Sequence, residues 1–273
     1  MVFFYFYGII TIGDIMIICP TCKEKLEKIN KSYKCKNNHS FDEAKSGYTN
    51  LLISKTNSGD NQEMVNARFL FLNKGYYEPL ALKIKDISLP YKNDIIVDAG
   101  CGTGYYSNFL KTESNSVYGF DISKLAINKA SKTYKNNNYF VASSMSLPIQ
   151  NNSVDILLTV FAPTFSNEFY RVLKETGIFI LVTPGKFHLY ELKEKLYDNP
   201  YLNEEKEYKL NNFILLNKDS IQYKVEIIQE DLLSLLAMTP YFYKTNPKDL
   251  ENLNITSLSL TLDFNIEVYK KAL

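Results

Sequence analysis

The stretch from Asp94 to Leu110, DIIVDAGCGTGYYSNFL, constrains the fold more than any other part of the chain. Residues 95–97 read as a buried strand, Gly100, Gly102 and Gly104 follow, and a helical pattern begins near Tyr105. Strand, glycine turn and helix in that order let backbone amides close on a ligand at a helix N-terminus. SVYGFD then predicts a second strand ending in Asp121, about 20 residues past the glycines, where a carboxylate can accept both hydroxyls of a ribose. The alternation continues with a third strand ending at 142–144 and a fourth over 155–160. EFYRVLKETGIFILVTPG predicts a helix, a turn and a fifth strand, and YKVEIIQEDLLSLLAMTP and LTLDFNIEVYKK extend the series. Residues 59–89 have apolar positions at helical spacing interrupted by Gly75 and Pro79, which predicts two helices leading into this domain. The class is α/β, a mostly parallel sheet with its ligand at the carboxyl ends of the strands.

A second signal lies upstream. CPTCKEKLEKINKSYKCKNNHSFD places Cys19 and Cys22 as C-x2-C, then twelve residues, then Cys35 and His39 as C-x3-H. Three thiols and an imidazole at knuckle spacing are the donor set of tetrahedral zinc, and the twelve-residue gap holds a short hairpin, with Tyr33 and Phe41 placed to cover its core. Four protein ligands leave no open coordination position, so the expected zinc is structural and any chemistry lies elsewhere. Four cysteines in 273 residues are too few for a disulfide scaffold, and their clustering points to a reducing cytosol. The net charge is only +1, so a nucleic-acid partner has to be met by a local patch. From Cys19 to Lys45, seven lysines face four acidic residues, which makes this stretch the candidate phosphate-contacting surface, with Tyr33 as a stacking face.

Residues 1–18 are apolar and aromatic but have no basic residue, include Asp14 and run into the first cysteine without a cleavage signal, so neither a signal peptide nor a membrane anchor is expected. Met16 stands just ahead of Cys19, and translation starting there is the expectation; the alternative to a later start is an extra edge strand on the small domain. The organisation predicted is an extension over 1–15, a zinc-binding domain over 16–55 and an α/β domain over 56–273.

The loop G-x-G-x-G, preceded by Asp98 and followed by the strand-final Asp121, resembles the nucleoside-binding loop of class I S-adenosylmethionine-dependent methyltransferases. That resemblance implies a Rossmann-like, seven-stranded, mostly parallel sheet. It also implies that Gly100, Gly102, Thr103 and Gly104 line S-adenosyl-L-methionine, with Asp121 on its ribose. Ser143 and Ser144 stand where many relatives carry an acidic residue near the adenine. Taken with the zinc knuckle, the chain resembles the bacterial 23S rRNA (guanine-N1)-methyltransferase family from about Ile17 onward. The residues that carry this are CPTC with C-x3-H-S-FD, AKSGYTNLL (44–52), GD-x2-EM-x2-AR (59–68), GYYEPL (75–80), DAGCGTGYYS, VASSMSLP, FAP (161–163), TPG-x2-HLYEL (183–192), MTP (238–240) and DFNI (263–266). It implies that Tyr77 and His188 lie near the cofactor, and that Tyr106 and Ser107 lie at its methionine end. It further implies a guanine in a hairpin loop of 23S rRNA as substrate and subunits that pair as a homodimer.

Phe161, Pro163 and Tyr241 are candidates for the mouth where a flipped base would stack. Methyl transfer to nitrogen needs position and a dry pocket rather than a metal. Guanine N1 must also lose a proton, but Asp155 reads as structural and Glu168 has no evident partner, so the sequence names no general base. Two other readings use the same residues. A small-molecule methyltransferase with a zinc ribbon would need an enclosed apolar pocket, and the lysine excess points away from it. A non-catalytic RNA-binding protein would tolerate a degenerate loop, whereas DAGCGTG and Asp121 are intact.

Overall fold

The structure, a computed structural model, describes residues 17–54, 58–204, 208, 210–239, 241 and 249–272. The extension expected over 1–15 lies outside the described residues.

The chain begins with a three-stranded antiparallel ribbon of β1 (Glu27–Ile29), β2 (Ser32–Lys34) and β3 (Ser40–Asp42). The predicted hairpin is β1–β2, registered Glu27 to Lys34 and turned at Asn30, whose φ of 57° suits the left-handed tolerance of asparagine. β4 (Tyr48–Asn50) then leaves the ribbon. Helix α1 (Gln62–Asn73) is capped by Asn61, whose side chain accepts from the Met64 N–H at 2.8 Å. Gly75 turns the chain at φ 88°, and α2 (Glu78–Ser88) starts with a proline in its first turn, where no N–H is missed.

The main domain runs β5 (Ile95–Ala99), α3 (Tyr105–Leu110), β6 (Ser116–Asp121), α4 (Lys124–Thr133), β7 (Asn138–Val141), β8 (Val154–Val160), α5 (Ser166–Val172), β9 (Leu173–Pro184) and α6 (Tyr190–Leu196). A 16-residue β10 (Phe213–Ile228), α7 (Gln229–Ala237) and β11 (Ser257–Lys271) complete it. The sheet order is β10-β11-β9-β8-β5-β6-β7-β4, parallel from β9 to β4, with β11 antiparallel to both neighbours. Seven of these eight strands are the sheet expected. The eighth, β4, comes from the segment assigned to the zinc domain and pairs Tyr48 with Tyr139 on the outer edge of β7. At three residues it is too short to show an alternating pattern, and it pairs on the open edge of β7. β9 also follows α5 directly, without the turn expected between them.

Alternation along the strands divides the core. Ile96, Ile156, Leu158, Ile178 and Ile180 face one layer with Leu80 and Ile84 of α2 and Leu232 and Leu235 of α7. Val97, Leu157, Phe179 and Leu181 face the other with Phe169 of α5, and Leu26 and Cys35 of the ribbon join that layer. The chain winds outward through β5, β6 and β7, then returns to β8 and β9. The carboxyl ends of β5 and β8 therefore form the crevice where the winding reverses.

Candidate active site and zinc centre

The knuckle closes on itself. Cys19 N–H donates to the Glu24 carbonyl and Lys23 N–H to that of Cys19, with Lys23 at φ 63°, while Cys35 N–H donates to the His39 carbonyl. The four donor atoms of Cys19, Cys22, Cys35 and His39 lie within 4.8 Å of one another. The Cys22 and Cys35 sulfurs are 3.7 Å apart, and His39 Nδ1 lies 3.5 Å from Cys19 Sγ and 3.4 Å from Cys35 Sγ. A tetrahedron with Zn–S of about 2.3 Å and Zn–N of about 2.0–2.1 Å has edges of about 3.8 and 3.6 Å, so the donors stand at zinc spacing. The Glu24 amide draws Cys22 down to about 6, whereas burial pushes Cys19 up. All four positions are filled by protein, as expected of a site that folds the ribbon.

The lysine-rich face is less free than its composition implies. Lys25, Lys28 and Lys36 are paired with Glu27, Glu43 and Glu24 at 3.3, 2.5 and 2.9 Å. Tyr33, expected as a stacking face, packs edge-on against Phe140 of β7 with ring centroids 5.7 Å apart. It covers the core and holds the ribbon to the sheet.

In the glycine loop the three glycines serve different ends. A Cβ on Gly100 would stand 2.4 Å from Ala162 Cβ, and one on Gly104 would stand 2.5 Å from Tyr139 Oη, so these two permit packing. Gly102, at φ 53°, would carry a Cβ into open space with no atom within 4 Å, so its bare backbone faces where a ligand fits. Thr103 between them is buried. Asp121 closes the loop from β6. One oxygen accepts from the Gly102 N–H at 2.8 Å and the other from the Ser123 N–H at 2.7 Å. A carboxylate has about four lone-pair sites, so each oxygen keeps capacity for a hydroxyl. Burial pushes Asp121 upward, and the charges of Asp60 and Arg68, paired with each other at 3.4 Å, reach it. These two are site neighbours that the loop motif alone does not reveal; their block, GD-x2-EM-x2-AR, was the available signal. Ser143 and Ser144 are half-buried just past β7, beside Asp121, and the Ser143 hydroxyl accepts from the Met145 N–H.

Ser107 has a partner within the protein. It is fully buried and donates to Asp98 Oδ2 at 2.6 Å, fastening α3 to the end of β5. Burial pushes Asp98 up to about 7 against that hydrogen bond. Tyr106, by contrast, has a buried hydroxyl with no protein partner, the kind of orphan that a polar ligand satisfies.

Tyr77 and His188, 111 residues apart, meet as a pair. Tyr77 Oη is 3.4 Å from His188 Nε2, and the Asp263 N–H donates to His188 Nδ1 at 3.3 Å. With Nδ1 accepting, the proton sits on Nε2, which donates to Tyr77, and the imidazole is held neutral, lowered to about 3 by burial and the Lys193 charge. His188 is thus a donor and not a base. Asp263, which only the DFNI block hinted at, shapes this turn: its carboxylate accepts from Phe187 N–H at 2.8 Å, and a Cβ on Gly185 would lie 2.3 Å from its Cγ. Phe161 follows β8 at φ 55° and is exposed, its ring 6.1 Å from His188 and nearly parallel. Pro163 is exposed beside it. Tyr241 belongs to a neighbouring cluster, 5.4 Å from the buried Lys193 ammonium, which donates to Tyr201 O and Asn203 Oδ1. Asn203 in turn donates to the carbonyls of Gly185 and His188.

Asp155 is structural as expected, buried and paired with Lys174 at 2.8 Å. Glu168 does have partners: it accepts from Leu147 N–H at 2.6 Å and from the Arg171 guanidinium.

Comparison with known proteins places these features in one context. Residues 17–56 match the zinc-ribbon family described as RlmA, N-terminal, and residues 97–181 match the methyltransferase domain family. Bacillus subtilis YxjB, named as a candidate 23S rRNA (guanine-N1)-methyltransferase, is 30% identical over 280 residues, covering 96% of this chain and 99% of its own. A Streptomyces fradiae protein named 23S rRNA (guanine(748)-N1)-methyltransferase is 29% identical, covering 85% of this chain and 87% of its own. A structure solved for the conversion of a disulfide bond into a thioacetal group during echinomycin biosynthesis shares the fold, with a TM-score of 0.50 at 14% identity over 71% of this chain and 81% of its own. Among the described residues, no helix is long and apolar enough to cross a membrane.

Proposed function

The chain belongs to the 23S rRNA (guanine-N1)-methyltransferase family, and from that premise we propose that it methylates N1 of a guanine in a hairpin loop of 23S rRNA. The observation that carries this reading is the near-complete overlap with YxjB, which joins the zinc ribbon and the methyltransferase domain in one chain. The protein is an S-adenosylmethionine-dependent methyltransferase with a zinc ribbon.

S-adenosylmethionine, when bound, supplies an electrophilic methyl group on a sulfonium. The residues suited to hold it are Gly102 by its bare backbone, Asp121 by its spare lone pairs toward the ribose, Ser143 and Ser144 beside it, and Tyr106 by its unpartnered hydroxyl. Tyr77, which receives the His188 proton, retains its own hydroxyl proton for donation. Phe161 gives an unpaired guanine a face on which to stack, and His188 and Phe264 form an apolar, aromatic wall behind it. His188 would not take the N1 proton, because its Nδ1 accepts from the Asp263 N–H and its Nε2 carries a proton directed at Tyr77, so its part is to position Tyr77 and wall the pocket. Rate enhancement comes from position and exclusion of water.

The test is transfer of tritiated methyl to 23S rRNA from a strain lacking the modification, followed by nucleoside digestion. Label in 1-methylguanosine that disappears with Asp121→Ala supports the reading. A protein that binds zinc and cofactor but labels no RNA refutes it and directs attention to small-molecule acceptors.

A further inference from the structure

A basic cavity lies away from the glycine loop and Asp121. It is a groove of about 560 Å³ where the turn between β3 and β4 meets the end of α4, lined by Lys45, Ser46, Gly47, Ser131, Lys132, Lys135 and Asn137. Three of its seven lining residues are lysines and none is acidic. The three lysines are exposed, and among the described residues none of them makes an ion pair, unlike Lys25, Lys28 and Lys36 of the adjoining ribbon. Like charges converge here without a protein counter-ion, which costs energy unless an anion shares the groove.

Two further observations point to a ligand. Asn137 is 8% exposed, and its Nδ2 donates to Tyr139 Oη at 3.2 Å while its Oδ1 has no partner. Whichever way the amide is turned, Tyr139 satisfies one end and the other is an enclosed, unsatisfied polar group beside the groove. Gly47, at φ 95°, presents bare backbone at the rim, with no atom within 4 Å of where a Cβ would be. Lysine ammonium groups beside a neutral hydrogen-bonding group suit a sugar–phosphate backbone better than a free metabolite, because no aromatic side chain lines the groove to hold a base.

The geometry points to this groove as a site for RNA backbone phosphates, separate from the catalytic crevice. It rests on the rRNA substrate reading above and adds where the RNA is gripped. β4 and β7 run parallel, so the groove lies at the amino ends of strands whose carboxyl ends carry Ser143 and Asp121. From Asn137 to Ser143 the chain advances six residues, about 20 Å in extended form. The groove opens at the amino ends of β4 and β7, the edge of the sheet opposite to Ser143, so it takes phosphates of the stem flanking the target loop rather than those of the target nucleotide. The unpaired Lys45 lies on the segment that the zinc ribbon delivers to the sheet, which makes part of the grip dependent on the ribbon.

The test compares wild-type protein, Lys45→Ala/Lys132→Ala/Lys135→Ala and the corresponding triple arginine variant in binding a fluorescent 23S rRNA hairpin across a salt series. Each phosphate contact contributes about 0.7–0.9 to the slope of log affinity against log salt, so three contacts give a slope shallower by about 2–3 and, at 0.15 M salt, affinity weaker on the order of 100-fold. S-adenosylmethionine affinity and melting temperature stay unchanged, and the arginine variant keeps the wild-type slope. Lys135→Glu, in the exposed loop after α4, repeats the test at one position if the triple variant folds poorly. An alanine variant with wild-type slope and affinity on an RNA that the wild type methylates overturns the groove and leaves the substrate reading standing. A wild type that neither binds nor labels any rRNA overturns both.

Discussion

The glycine loop offers a sharp test because two of its glycines predict opposite failures. At Gly102, alanine meets no protein atom, so the cost to folding is only that of an L-residue in the left-handed region, about 1–2 kcal/mol. For a domain of this size that is a fall in melting temperature of about 2–8 °C. The new methyl occupies the space through which the backbone faces its ligand. Losing one close polar contact to a charged ligand costs about 2–3 kcal/mol, so S-adenosylmethionine binds about 30- to 150-fold more weakly. At Gly100, where φ is 90°, the same methyl would stand 2.4 Å from Ala162 Cβ, more than 1 Å inside ordinary carbon contact of about 3.5–4.0 Å. Overpacking of about 1–3 kcal/mol adds to the backbone strain, and the loss of stability is about 2–5 kcal/mol. Calorimetric titration with S-adenosylmethionine and thermal unfolding of both variants read the two effects separately. Wild-type cofactor affinity in Gly102→Ala, or a Gly100→Ala protein no less stable than Gly102→Ala, refutes the division of labour.

Metal analysis is expected to give about one zinc per chain, absent from Cys35→Ser, whose melting temperature falls because three-residue strands do not hold a ribbon unaided. Phe161→Ala is expected to lower rRNA methylation about 5- to 100-fold, the worth of one stacked base, while cofactor affinity measured by titration stays constant. Arg171→Ala strands the carboxylate of Glu168 and the carbonyls of Leu147 and Ile149, and denaturant unfolding should show a loss of about 2–4 kcal/mol. His188, lowered to about 3, favours folding above its unfolded value and loses that contribution as pH falls from about 6.5 toward 3; Asp98, raised to about 7, loses its contribution as pH rises from about 4 toward 7. The two slopes, each up to about 1.4 kcal/mol per pH unit, oppose one another between pH 4 and 6.5, so Asp98→Asn should make stability rise with pH there and His188→Gln should make it fall, as urea midpoints will show.

What was legible in the sequence was whatever depends on local spacing. The zinc knuckle, the strand–glycine–helix unit and Asp121 each lie within a short window whose periodicity or donor set has one physical solution. The illegible parts are choices between partners and contacts made only by tertiary packing. Nothing local distinguishes Ser107 as a partner of Asp98 from Ser107 as a cofactor ligand, because a hydroxyl one turn into a helix can reach either way. The Leu147 N–H reaches Glu168 only when α5 packs beneath the loop after β7, whereas the pairing of Glu168 with Arg171, three residues on along α5, follows from helical spacing and was there to be read. β4 was missed for a similar reason: Tyr and Thr favour a strand, but three residues carry no readable alternation, and the hydrogen bonds that make them a strand belong to β7. His188 and Tyr77 were legible only through the family resemblance, since no spacing rule links residues 111 apart.

The way the ribbon is attached bears on why a structural zinc accompanies a reaction that needs no metal. The segment after β3 does not hang free; it enters the main sheet as β4, and the Leu51 N–H donates to the Val141 carbonyl at the end of β7. Ile18 N–H donates to the Pro148 carbonyl, and Tyr33 packs on Phe140. All three attachments fall on β7 and the loop that follows it, which contains Ser143 and Ser144 and adjoins Asp121 through the Ala142 N–H bond to its carbonyl. A ribbon ordered by zinc thus clamps the outer edge of the proposed cofactor ledge at three points, where an edge strand of four residues would otherwise fray. Removing zinc is therefore expected to weaken cofactor binding as well as RNA binding, whereas a ribbon that served RNA alone would leave cofactor affinity untouched. Calorimetric titration of S-adenosylmethionine into Cys35→Ser separates the two cases.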